Sequence, residues 1–127
     1  MAESEFLEWM RFAKDDLEAA RILLDHRPRK VEIICYHCEQ AAEKYLKAVL
    51  ARKDADIPRT HSLLSIAKNV GLNNTTLAAI VKSLATLQPY AVEVRYPFQL
   101  VGGEGMEELA MKAAEHVASI VEGLFNA

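Results

Sequence analysis

Residues 31–50, VEIICYHCEQAAEKYLKAVL, decide the fold. Ile34, Cys38, Ala41, Tyr45 and Ala48 recur at helical spacing, and Val31, Cys35, Ala42, Leu46 and Val49 make a second stripe beside them. A helix apolar over so wide an arc is packed on more than one side. This segment is therefore expected to be the central helix of its domain. The remaining face carries a polar line, His37, Gln40, Lys44 and Lys47, at steps of three, four and three.

Upstream, Phe6, Met10, Ala13, Leu17, Ala20 and Leu24 alternate steps of four and three, which predicts one helix with a single buried face. Its other face carries Glu8, Arg11, Asp15, Glu18 and Arg21, where acids before bases lend modest support. Arg27-Pro28-Arg29-Lys30 interrupts the pattern, and Pro28 suits the first turn of the central helix. Downstream, residues 54–58 read as a loop. Thr60 is the expected cap of a short helix with Leu63, Leu64, Ala67 and Val70 inside, ended by Gly71. Asn73 or Asn74 caps a fourth helix carrying Leu77, Ile80, Val81, Leu84 and Leu87 up to Pro89. Residues 89 to about 104 hold Pro89, Pro97, Gly102 and Gly103 with no sustained period, and such stretches often carry function. A last helix from about Gly105 is expected to bury Leu109, Ala113, Val117, Ile120 and Leu124. The expected fold is all-α, an up-and-down bundle of about five helices, with residues 1–127 as one domain.

Composition agrees with that size and class. The 127 residues are 51% apolar and 26% charged, with five Gly and four Pro, which excludes a disordered or collagen-like chain. Fifteen Lys and Arg stand against 18 Asp and Glu, so a nucleic-acid role would need a local patch instead of a global basic field. The acidic start, MAESEFLEW, is unlike a signal peptide, and no window approaches 18 uninterrupted apolar residues. Two cysteines are too few for a disulfide scaffold. A soluble, cytoplasmic protein is the expectation.

Cys35-Tyr36-His37-Cys38 has metal-ligand residue types, but a closed zinc site wants four ligands and no second Cys pair exists, so both cysteines are assigned to the core. No metal or cofactor is called for. The line His37, Gln40, Lys44 and Lys47 reads either as the solvated face of the central helix or as a surface that meets a ligand. Tyr90, Arg95, Tyr96 and Pro97 lie in the irregular stretch. There Arg95 suits a phosphate and a tyrosine ring suits a base, while the alternative is that the tyrosines pin the loop and Arg95 pairs with an acid. Basic clusters at Arg27, Arg29 and Lys30, and at Arg52, Lys53 and Arg59, are phosphate contacts or solvated helix ends. Gly102-Gly103-Glu104-Gly105 is expected to free the backbone for the turn into the last helix. His26, His61 and His116 read as surface or helix-end residues without a catalytic partner visible in the sequence.

Together these features resemble the prokaryotic HEPN domain family. The resemblance rests on Trp9, Ala13, Asp16, Leu17 and Ala20, then Cys35-Tyr36-His37-Cys38-Glu39-Gln40-Ala41-Ala42-Glu43-Lys44 into Leu46-Lys47-Ala48. Thr60-His61-Ser62-Leu63 and Arg95-Tyr96-Pro97 complete it, and the match covers nearly the whole chain. It implies a helical bundle, usually a homodimer, often made beside a separate minimal nucleotidyltransferase in a toxin–antitoxin-like pair. Many members are RNases with an Arg and a His separated by four to six residues. Here the positions after Arg95 hold Leu100, Val101 and Gly102, and the next histidine is His116. Arg21 and His26 match the spacing formally but sit at the end of helix one. RNA cleavage through the 2′-hydroxyl needs a group that moves a proton near neutral pH, and Arg does not. The resemblance thus implies a non-catalytic nucleotide or nucleic-acid binding module, a dimer with a nucleotidyltransferase partner, contacting its ligand through Arg95, Tyr96, His37, Gln40 and Lys44. The alternative is a metal-independent RNase toxin that uses His37 or His61.

Overall fold

The computed structural model describes residues 2–91 and 105–126. Five α-helices follow in order: α1 Ala2–Asp25, α2 Val31–Arg52, α3 Leu63–Val70, α4 Asn74–Leu87 and α5 Met106–Phe125, with a 3-10 turn at Gln88–Tyr90. No strand occurs among the described residues. The all-α bundle expected from the periodicities is the fold observed, and no described helix is long and apolar enough to cross a membrane.

The two stripes of α2 do what their width implies. Ile34, Cys35, Cys38, Ala41, Ala42, Tyr45, Leu46, Ala48 and Val49 are all buried, and α1, α3, α4 and α5 pack around them. Small residues meet at these contacts, Ala13 and Ala20 of α1, Ala110, Ala114 and Ala118 of α5, all buried, so the backbones can approach closely. Cys35 and Cys38 are buried and unbridged, as assigned, and burial pushes both thiols up to about 12. They act as small apolar side chains.

Short connections give antiparallel neighbours. The end of α2 returns to the start of α1, where Arg52 stacks over Phe6 at 4.8 Å and pairs with Glu3 at 3.4 Å. Likewise the Gln88 side chain, past the end of α4, accepts the Leu63 N–H at the start of α3. α5 instead runs parallel to α2. Arg29 meets Glu107 at one end, and the Tyr45 hydroxyl donates to Glu122 at 3.2 Å towards the other.

Four local expectations need correction. Pro28 does not enter the first turn of α2. It follows a cis peptide bond in the link, and the helix starts at Val31. Ser62 caps α3 by accepting the Ser65 N–H, while the Thr60 hydroxyl accepts the Ser62 N–H just before it. On α3, Ile66 is buried and Leu64 is exposed. On α5, Leu109 and Leu124 are exposed, and the buried face is Ala110, Met111, Ala113, Ala114, Val117, Ala118 and Val121. Close packing against α2 selects the alanine face, because two bulky leucines would hold the axes apart. Asn73 accepts the Thr76 N–H at the start of α4, and Gly71 ends α3 with φ 77°, a conformation that favours glycine. Gly105, at φ 84°, opens α5.

Candidate functional site

α2 is buried on nearly every side, so its polar line is the one strip along its middle that solvent partly reaches. The line does not stand free. His37 Nδ1 lies 2.8 Å from Asp16 Oδ1, and Lys44 Nζ lies 2.5 Å from Asp16 Oδ2. One carboxylate of α1 therefore holds two of the expected ligand residues, which stand about two helical turns apart on α2. Burial works to raise the Asp16 pKa. The hydrogen bonds from His37 and Lys44, with their charge, outweigh it and hold the carboxyl below its ordinary value. Gln40 Nε2 donates to Glu39 Oε1 at 2.8 Å. Lys47 pairs with buried Glu43 at 3.0 Å, and His61 Nδ1 reaches the other oxygen of Glu43 at 3.2 Å. Two carboxylates, each gripped by a histidine and a lysine, thus lie along α2.

Beside this line α1 presents aromatic rings. Phe12 is 44% exposed, with the Arg11 guanidinium 4.5 Å over its ring and Lys44 Nζ at 6.0 Å. Lys47 Nζ lies 5.6 Å from the half-buried Trp9 ring. The seam between α1 and α2 therefore alternates cations with ring faces, an arrangement suited to phosphates and bases. Sequence reasoning missed Phe12, Arg11 and Asp16 as site residues. A signal was present, since Phe12 is a large ring set off the apolar stripe of its own helix.

The other expected residues separate into two groups. Arg95 and Tyr96 lie outside the described residues, as do Pro97 and residues 100–104. The chain enters that stretch at Ala91, which is buried, directly after Tyr90, which packs against the core. It leaves at Gly105, beside Glu107 and its partner Arg29. Three residues of the basic clusters, Arg29, Arg52 and Lys53, have structural partners. Arg29 donates to the Leu24 carbonyl and pairs with Glu107, Arg52 stacks on Phe6 and Phe125, and Lys53 donates to the Val70 carbonyl at the end of α3. Arg21 pairs with Glu115 at 3.2 Å where α1 meets α5, and His26 follows the last residue of α1. Among the described residues, no group of three or more His, Cys, Asp and Glu side chains is placed to hold a metal ion.

The HEPN domain family model matches residues 6–124. An archaeal HEPN homologue of known structure is 23% identical, with a TM-score of 0.74 over 95% of this chain and 98% of that one. A protein of known structure from Thermus thermophilus is 22% identical, with a TM-score of 0.75 over 93% and 96% of the two chains. No curated protein matches.

Proposed function

The chain belongs to the HEPN domain family, and on that premise we propose that it is a non-catalytic module that binds a nucleotide or nucleic-acid phosphate, works as a homodimer and partners a minimal nucleotidyltransferase. The observation that carries the reading is the α1/α2 seam. Asp16 holds His37 and Lys44 in fixed positions next to the exposed ring of Phe12, so a base can stack while a phosphate meets donors already in place. Fixed donors lose little freedom on binding. Arg95 and Tyr96, which lie outside the described residues, are assigned to the same ligand on the family resemblance alone. The absence of a histidine at residues 100–102 argues against the family's RNase chemistry.

A thermal-shift series with mono-, di- and triphosphate nucleotides tests this. A ligand at one hundred times its dissociation constant adds about 2.7 kcal/mol, a rise of several degrees in a domain of this size. The rise is expected to vanish in Arg95→Ala and to shrink in Lys44→Ala. A protein that gains nothing from any nucleotide, elutes as a monomer and retains no nucleotidyltransferase would end the proposal.

One observation favours a second reading, an RNase that uses His37. A carboxylate on Nδ1, as at Asp16, orients an imidazole so that Nε2 is available to take a proton. Expression of an active enzyme would arrest growth, and His37→Ala would relieve it. Growth without penalty, and no cleavage of RNA by the purified protein, removes that alternative.

A further inference from the structure

A groove of about 270 Å³ runs between α4 and α5, on elements that contribute nothing to the polar line of α2. Its lining contains Lys82 and Ser83 of α4 and Leu109, Lys112 and His116 of α5, and no carboxylate. On a chain of net charge -3 that is a local reversal of sign. It has a structural cause. The two acids of α5 nearest in sequence are drawn away, Glu108 to Arg29 and Glu115 to Arg21. Among the described residues, neither the Lys82 nor the Lys112 ammonium has a hydrogen-bond or ion-pair partner.

Ser83 and His116 add a donor. Ser83 Oγ lies 3.0 Å from His116 Nδ1. If the hydroxyl donates, Nε2–H of the neutral ring is left over, and if Nδ1–H donates, the hydroxyl proton is left over. Either arrangement leaves one proton for a ligand oxygen in the groove that Lys82 and Lys112 also line. Two cations and a neutral donor suit oxyanions. From Leu109 to His116 the wall is seven residues long, about 10 Å at the helical rise. That is longer than one phosphate group.

We propose that the α4/α5 groove is a second binding site, separate from the α2 seam, for a run of linked phosphates held by Lys82, Lys112 and the Ser83–His116 pair. The linked phosphates come either from a nucleic-acid strand or from free polyphosphate. Leu109, 62% exposed at one end, offers an apolar surface to a sugar or base and favours the strand.

Titration calorimetry with tripolyphosphate across a salt series, on the full chain, reads the site. Binding is expected to weaken with salt and to fall about tenfold or more in Lys82→Ala/Lys112→Ala. The control Lys14→Ala/Lys68→Ala changes net charge equally and is expected to leave affinity within a factor of two or so. Single-stranded RNA without terminal phosphates, added as competitor, identifies the strand as ligand if it displaces tripolyphosphate and free polyphosphate if it does not. No binding, equal loss in both double variants, or equal displacement by an oligoglutamate peptide overturns the proposal. The nucleotide-induced thermal shift, measured on Lys82→Ala/Lys112→Ala, is expected to persist, so loss of one site is distinguishable from loss of the other.

Discussion

Leu46→Ala is expected to cost about 2–5 kcal/mol of unfolding free energy, measured by urea denaturation followed by helical circular dichroism. Leu46 is 0% exposed on the helix that every other helix packs against. Removing its side-chain carbons forfeits their transfer energy and leaves a cavity in the middle of the bundle, which neighbours anchored on several sides cannot collapse to fill. Leu7→Ala is the matched control. Leu7 is 57% exposed on α1, so the same chemical change there is expected to stay within about 0.5 kcal/mol. Equal costs at the two positions would contradict α2 as the centre of the core.

The second large effect belongs to Asp16. Its side chain is 12% exposed and accepts from both His37 and Lys44. Asp16→Ala removes two hydrogen bonds to a carboxylate and leaves the Lys44 ammonium and the His37 ring without their shared acceptor, a loss of about 2 kcal/mol at neutral pH. Because both partners are partly exposed and rehydrate, the loss stays below that of breaking a fully buried pair. The pH dependence has a fixed sign. The folded pKa of Asp16 lies below its unfolded value, so its contribution is fully present above about pH 4 and disappears as pH falls through the folded value. The gap between wild type and Asp16→Ala is therefore expected to close in acid. Asp16→Asn, which keeps one acceptor oxygen, is expected to lose less. A constant gap from neutral pH to strong acid would show that the carboxylate charge is not what holds α1 to α2.

The two variants also separate stability from function. Leu46 is a fully buried core residue and not one of the proposed ligand contacts, so the folded fraction of Leu46→Ala should retain its nucleotide-induced shift. Asp16→Ala releases His37 and Lys44 together, so it should weaken both stability and binding.

Much of this molecule is local, and what is local was legible. The four–three alternation from Phe6 to Ala20 names the buried face of α1, the double stripe of α2 names the central helix, and Gly71 and Asn73 mark the end of α3 and the start of α4. These features depend on residues within one or two turns of each other, whose relation is set by 3.6 residues per turn wherever the helix lies. The polar line His37, Gln40, Lys44, Lys47 was legible for the same reason. Its meaning was not. Asp16 meets His37 across 21 positions and Lys44 across 28, and Arg21 meets Glu115 across 94. Nor could periodicity choose between the leucine and alanine faces of α5, show that α5 runs parallel to α2, or place Lys82 beside Lys112. A helical repeat records which side of a helix is apolar, whereas the partner on that side is decided by how closely two backbones approach and which way each link turns the chain. In this protein the sequence by itself determined the helices and most of their inner faces, and only tertiary packing decided which charges share a carboxylate and which are left over for a ligand.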